Sequence, residues 1–264
     1  MNVVILAGGA GTRLAEETEL RPKPLVSIGT EPILWHIMRG YAHYGFNDFY
    51  VALGYKGDMI KQYFVDRCRL SGHLLVDLRN GAVEQLEAEC EDWRVHLIDT
   101  GLATMTGGRV RRLERYLRPG GTFMLTYGDG VSNLDLRALL AFHQRHGKLA
   151  TLTAVRPPSR FGGIVFDGDM VAEFSEKPQI GEGWINGGFM VLEPGVFDYL
   201  SGDDDVFETT ALERLAEDGQ LAAYRHDDFW QCMDVVRDRK LLERLWQEGT
   251  APWQVWSRPA TDRP

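Results

Sequence analysis

Residues 3–14 read VVILAGGAGTRL. Val3–Ala7 is a continuous apolar run, suited to a parallel strand covered on both faces. It leads straight into Gly8-Gly9-Ala10-Gly11-Thr12-Arg13. Glycine lets backbone N–H groups close on an anion and reach positive φ, and a helix start adds the positive end of its dipole. The turn therefore suits a phosphate, with Arg13 as a fixed cation. By itself it suits a tight, unliganded strand–helix turn equally well. Two familiar phosphate motifs are excluded. The dinucleotide fingerprint wants a small residue where Leu14 stands, and an acid after the second strand, where Leu53-Gly54-Tyr55 stands. The Walker loop needs a GK[ST] end, which the turn lacks.

Outward from this stretch, strand-like and helix-like segments alternate. Pro32 stands at a helix start, and Ile33, Leu34, Ile37, Met38 and Tyr41 form a helical stripe that ends at Gly45. Phe49–Leu53 reads as the second strand and Asp58–Val65 as a helix. Arg94–Asp99 and Thr122–Tyr127 read as strands, with a short helix over Val110–Leu117 between them. Leu134–His146 reads as a helix stopped by Gly147, and Leu149–Val155 as a strand. This β-α-β-α order predicts an α/β fold, a Rossmann-like doubly wound mixed sheet. The later part is more mixed. A hairpin is expected over Gly162–Phe166 and Val171–Phe174, a strand over Phe189–Leu192, and helices over Val206–Glu217 and Asp234–Gln247. Asp77–Asp92 is polar and weakly periodic, an insertion of undefined structure. A single domain is expected over 1–256, with a flexible tail at 257–264.

Hydrophobic residues make up 44% and charged residues 25%, the balance of an ordinary globular domain. The formal net charge of −9 argues against a nonspecific nucleic-acid or anionic-membrane binder. No run approaches the ~20 apolar residues needed to span a bilayer. No basic leader precedes the first strand, so a cytoplasmic location is expected. Cys68, Cys90 and Cys232 show no CxxC spacing, and buried or inert thiols in a reducing compartment are expected. His143 and His146 fall on a polar helix end, where solvation explains them.

Several polar residues have both a bland and a chemical reading. Pro22 and Pro24 clamp Lys23 in an extended backbone, which reduces its ordering cost on meeting a phosphate. A lone Lys-Pro would be a solvated loop. Asp129, in Tyr127-Gly128-Asp129-Gly130, follows a strand at the carboxyl edge of the sheet, where α/β ligands sit. Its flanking glycines leave room for a metal and water, although a bare turn aspartate would cap a helix. Asp234 alone reads as the N-cap of the last long helix. Arg109 stands at a helix start, where the dipole disfavours a cation, a small hint of an anionic or acceptor partner.

LAGGAGTRL followed by RPKPLVSIG and PILWHIM resembles the sugar-phosphate nucleotidyltransferases. DTGLATMTGGRV, FMLTYGDGVSNLD, FGGIVFDG, FSEKP, WINGGFMVL and FWQCMD resemble, within that family, the branch that joins CTP to glucose 1-phosphate. The resemblance runs from about residue 2 to residue 256. It implies the nucleotide-diphospho-sugar transferase architecture, with nucleotide bound by the first half and sugar phosphate and metal by the second. It assigns the nucleotide to Leu6, Ala7, Gly8, Gly9, Ala10, Gly11, Thr12, Arg13, Thr104, Gly108, Arg109 and Gly128, with Arg13 and Lys23 as the catalytic cations. It assigns the sugar phosphate to Lys23, Tyr127, Glu176, Lys177, Asn186 and Gly187. Mg²⁺ is implied on Asp129 and Asp234, and a homo-oligomer, a hexamer, as the assembly. Cys232 stands where the family pattern has proline. The TGGR loop disfavours thymidylyl transfer. A noncatalytic nucleotide-sugar sensor on this fold would tend to lose the aspartates or the Arg/Lys pair, and all four are present.

Overall fold

The first strand has no polar face because the chain covers both sides of it. In the computed structural model, which describes residues 1–87, 90–157, 163–167, 170–175 and 183–257, Val3 and Ile5 enter the core on one side. Val4 and Leu6 enter it on the other. The seven strands of the central sheet are β1 (Asn2–Leu6), β2 (Asp48–Leu53), β3 (Arg94–Asp99), β4 (Phe123–Tyr127), β5 (Ala150–Val155), β6 (Ile185–Leu192) and β7 (Leu221–His226). Their spatial order is β7-β5-β6-β4-β1-β2-β3. β6 runs antiparallel to both β5 and β4, while the other pairings are parallel.

This order positions the site. The chain steps from β1 to β2 to β3 on one side, then returns to lay β4 on the other side of β1. The carboxyl ends of β1 and β4 therefore diverge, and a crevice opens at the reversal, the usual ligand position in an open α/β sheet.

Among the described residues, five α-helices of seven residues or more flank the sheet. The first, α1 (Ile33–His43), begins after Pro32, and α2 (Gly57–Arg69) extends past the expected segment at both ends. α3 (Thr106–Arg112) starts four residues before the expected 110–117 helix, which is completed by a separate turn, Glu114–Leu117. Gly107 and Gly108 are poor helix formers, so propensity hides this start. Tertiary contact supplies it: both of their N–H groups donate to the Asp205 carbonyl. In α4 (Leu136–His146) the Asp135 carboxylate caps two N–H groups, and Gly147 at φ +64° ends the helix. Among the described residues no helix is long and apolar enough to cross a membrane.

Four local expectations are corrected. The insertion forms a hairpin, His73–Asp77 paired with Ala82–Leu86, projecting after α2. Val206–Glu217 is a π-type turn, Phe207–Leu212, that runs into the short helix Glu213–Glu217. His143 is buried, against Thr151 Oγ1 at 2.8 Å and Glu193 at 3.1 Å, because α4 lays that face on β5 and not in solvent. Cys68 and Cys90 are exposed and Cys232 is half-buried, so burial does not describe these thiols. The hairpin over residues 163–175 forms as expected, Gly163–Asp167 against Met170–Ser175. Residues 258–264 lie outside the described residues.

An aromatic core holds α1 to the C-terminal part of the chain. The buried His36 ring on α1 meets Trp246 at 4.7 Å and Trp253 at 6.1 Å between centroids. His36 Nε2 lies 2.9 Å from the Ile28 carbonyl oxygen, and Trp253 Nε1 lies 3.4 Å from His36 Nδ1. A carbonyl can only accept and an indole N–H can only donate. The two contacts together fix neutral His36 with its proton on Nε2. Burial pulls its pKa below the usual histidine value, despite the opposing Ile28 carbonyl.

Candidate active site

The glycine turn leaves β1 and is stitched to its neighbours by backbone bonds. Ala7 N–H donates to Ala52 O at 3.0 Å, and the Gly8 carbonyl accepts from Tyr55 N–H at 3.0 Å. At Gly11 the backbone has φ +64°, and a Cβ would fall 2.8 Å from Thr18 Cγ2, so this position requires glycine. Gly8 leaves space for another side chain, Arg109, whose guanidinium would lie within 2.4 Å of an added Cβ.

Arg109 explains how the turn is held. It is 4% exposed and sits in the first turns of α3. Its Nη1 donates to Leu53 O (2.9 Å), Thr100 Oγ1 (2.8 Å) and Gly101 O (2.8 Å), and its Nη2 to Gly8 O (3.1 Å). One planar fork thus gathers acceptors at the carboxyl ends of β1, β2 and β3. These acceptors offset the unfavourable dipole noted from the sequence, although burial still lowers the Arg109 pKa. A longer contact to Leu102 O, at 3.4 Å, completes the set.

Lys23 and the two aspartates meet although they lie far apart in the chain. Pro22 holds an extended backbone (φ −65°, ψ 147°) ahead of the single turn Lys23–Leu25. The buried Lys23 Nζ donates to Asp129 Oδ2 at 2.6 Å and to Asp234 Oδ1 at 2.7 Å. Burial alone would favour loss of the Lys23 proton. The charge of Asp129 and the bonds to both carboxylates outweigh it and raise the pKa. Arg13, largely exposed, donates to the other oxygen of Asp234 at 2.6 Å. Asp234 does not cap the last helix, α5 (Val236–Gln247). The Asp238 carboxylate does, accepting from Asp234 N–H (3.0 Å) and Val235 N–H (3.1 Å). That cap leaves the Asp234 carboxylate available to the cleft.

Two adjoining clefts share Arg13, Tyr127 and Asp129. The first, about 930 Å³, is lined by Leu6, Ala7, Gly8, Gly9, Gly11, Lys23, Thr104, Arg109 and Gly128 among others. The second, about 750 Å³, is lined by Asn186, Gly187, Trp230, Cys232 and Asp234 among others. Most of the residues singled out from the sequence therefore converge. Ala10 and Thr12 are exposed and line neither cleft. Gly108 also lines neither; a Cβ there would fall 2.5 Å from the Asp203 carbonyl oxygen, so its glycine is explained by packing. Glu176 and Lys177 lie outside the described residues.

Glu208 was not expected. Its carboxylate accepts from Thr106 Oγ1 at 2.8 Å and from the Tyr127 hydroxyl, so from the π-type turn it holds two side chains that line the first cleft. Burial and the Glu208 charge together hold the Tyr127 phenol well above its ordinary pKa. No local pattern around VFETT marks this residue, since its partners lie across the fold. Asp238 had a signal: an acid in the first turn of a helix reaches back to the N-cap region. Burial, then the nearby Asp234 and Asp129 charges, push the Cys232 thiol up to about 11.

A family model described as nucleotidyl transferase matches residues 2–243. The chain belongs to the nucleotidyl transferase family. Within it, the chain is 46% identical over 256 residues to the glucose-1-phosphate cytidylyltransferase of Salmonella typhi, covering 97% of this chain and all of that one. It is 44% identical over 257 residues to a probable glucose-1-phosphate cytidylyltransferase of Bacillus subtilis, again with 97% and 100% covered. The crystal structure of HddC from Yersinia pseudotuberculosis superposes with a TM-score of 0.68 at 23% identity, covering 93% of this chain and 99% of that one, and shares the fold. The architecture is thus that of the nucleotidyltransferases, in agreement with the α/β reading.

Proposed function

We propose that this chain transfers the cytidylyl group of CTP to α-D-glucose 1-phosphate, forming CDP-glucose and releasing pyrophosphate. The choice of base and sugar is supported by the two full-length relatives. The reaction type is supported by one observation above the rest: Lys23, Asp129 and Asp234 converge where the two clefts adjoin. A phosphate monoester has a second pKa of about 6 and is largely ionised near neutrality, so it attacks without a general base. What remains is to bring two polyanions together and to spread charge in the transition state, which positioning and cations accomplish.

In this reading the turn from Leu6 to Arg13 holds the triphosphate in the first cleft. Gly128, which lines the same cleft, faces the ribose. Thr104 and Arg109 face the base, with Arg109 exchanging its long contact to Leu102 for a base oxygen. Tyr127, Asn186 and Gly187 line the sugar-phosphate cleft, and the resemblance adds Glu176 and Lys177 as sugar-phosphate ligands. Lys23 lies between the two substrates and holds the α-phosphate in line with the incoming oxygen. Arg13 neutralises the departing pyrophosphate.

Asp129 and Asp234 fit a divalent cation. An oxygen of each lies within 2.7 Å of the same Lys23 nitrogen, so the carboxylates already converge on one cation-sized point. Among the described residues no cluster of three or more metal-ligating side chains forms. Two hard carboxylates completed by phosphate oxygens and water suit Mg²⁺. Bound there, Mg²⁺ would supply charge neutralisation on the triphosphate. Arg13 and Lys23 then turn from the carboxylates to phosphate oxygens. The remaining parts of the proposal are a homo-oligomer, a hexamer, and a cytoplasmic location where the nucleoside triphosphate is available.

Pyrophosphate release from each common nucleoside triphosphate against a panel of hexose 1-phosphates tests the reading. Release is expected with CTP and glucose 1-phosphate together, and only when Mg²⁺ is added. Release with dTTP or UTP but not with CTP would overturn the base. No release with any pair would overturn the transferase and leave a nucleotide-sugar binder.

A further inference from the structure

Two cysteines outside the candidate active site lie side by side. Cys68 is in the last turn of α2 and Cys90 follows the projecting hairpin, yet their sulfurs are 4.0 Å apart and both residues are exposed. The surrounding contacts hold this pairing. Gln85 Nε2 donates to Cys68 O (2.8 Å), Ser71 O (3.0 Å) and Ser71 Oγ (2.9 Å), and Ser71 Oγ lies 3.4 Å from Cys90 Sγ. The residues next in sequence are tied as well. Arg67 Nε lies 3.0 Å from Glu91 Oε2, and Arg67 Nη1 lies 2.8 Å from Glu31 Oε2. The thiols therefore meet across the root of the hairpin, on a clamp that fixes both of its ends.

We propose that Cys68 and Cys90 are a reversible redox pair that closes to an intramolecular disulfide under a small-molecule disulfide oxidant and pins the root of the hairpin. The first cysteine thiolate attacks a sulfur of the oxidant, forming a mixed disulfide and expelling one small thiolate. The second cysteine attacks the protein sulfur of that mixed disulfide, forming the Cys68–Cys90 bond and expelling the other thiolate. Two electrons pass from the cysteines to the oxidant, and the two thiol protons end on the departing thiols or in water. Closure brings the sulfurs about 2 Å nearer, to bonding distance, which χ1 rotation of two exposed side chains can supply. Cys232 takes no part; it sits half-buried in the second cleft.

The hairpin gives the bond something to restrain. Among the described residues its two strands pair only with each other, and Leu75, Val76 and Val83 on them are half exposed or more. A two-stranded ribbon in water is marginal, so a covalent tie at its root should slow its opening.

The full chain is incubated with oxidised or reduced glutathione, alkylated after denaturation, and mapped by mass spectrometry. The expected oxidised product has lost two hydrogen atoms, carries a single cross-link between the peptides containing Cys68 and Cys90, and leaves Cys232 alkylated. Cys68→Ser and Cys90→Ser should each instead hold one glutathione on the remaining partner. Hydrogen exchange across residues 73–86 should be slower in the oxidised wild type than in either variant. Separate glutathione adducts on both cysteines of the wild type, a bond to Cys232, or a bond between two molecules would overturn the pair. Unchanged exchange in the cross-linked protein would overturn its effect on the hairpin.

Discussion

Lys23 has two carboxylates as partners and little water. Removing its charge leaves Asp129 and Asp234 facing each other without the cation they share. Breaking a buried charged cluster by deleting one partner costs about 3 kcal/mol. Lys23→Met is therefore expected to lower the thermal midpoint in metal-free buffer and to regain part of the loss when Mg²⁺ is added, because a cation again bridges the carboxylates. Turnover should stay lost at any Mg²⁺ concentration, since a metal cannot replace the lysine between the two substrates. Asp129→Asn and Asp234→Asn should keep the fold by circular dichroism and lose about 10²-fold or more in kcat, the scale of removing one charge-stabilising group. Retained turnover in both would remove them as metal ligands. The types of these residues, and their places after strands or beside prolines, were legible in the sequence. Their convergence was not: Lys23 is 106 residues from Asp129 and 211 from Asp234, and only the sheet order joins them.

At the scale of the element, two helix starts carry the site. α5 begins under the Asp238 carboxylate, which orders the backbone of Asp234 itself. Asp238→Ala should cost about 1 kcal/mol of stability, as for a lost cap. It should lower kcat by more than that loss explains, because Asp234 is freed from its position. Asp238→Asn keeps an acceptor and should recover most of both in denaturation and turnover assays. α3 begins with Thr106-Gly107-Gly108, and its Arg109 ties the ends of three strands. Arg109→Met takes the guanidinium donor from Gly101 O and one of several donors from Leu53 O and Gly8 O, and should cost about 2 kcal/mol, read as the shift in urea midpoint. It should also raise KM for the nucleotide, since Gly8 loses a support. Apolar periodicity placed α1 and α4 from the sequence. It placed α3 late because glycine weakens local preference, and it hid the role of Arg109 because strand-end carbonyls leave no sequence signature.

Across the whole molecule, the doubly wound class was legible in the alternation of strand-like and helix-like segments, whereas the edge strand β7, with its mixed sequence LAAYRH, was not. The join between the two halves of the chain was not. That join depends on His36, buried on α1 among Trp246 and Trp253 near the C-terminal end. Its Nδ1 accepts the Trp253 N–H, so a proton added there would set one donor against another. The folded pKa lies below the ordinary histidine value of about 6.5. As pH falls below about 6.5, the unfolded chain therefore gains a proton that the folded chain refuses. The stability carried by neutral His36 is complete above that value and declines as pH falls toward the folded pKa. The slope from one such group is at most about 1.4 kcal/mol per pH unit. Urea midpoints should thus fall between pH 7.5 and pH 5.5, a window that lies above ordinary carboxylate titration. His36→Gln, which retains an amide donor and acceptor but does not titrate, should be less stable at pH 7.5 and show a flatter profile down to pH 5.5. If the variant and the wild type lose stability in parallel, the proton responsible lies elsewhere, and the aromatic join does not set the acid limit of the fold.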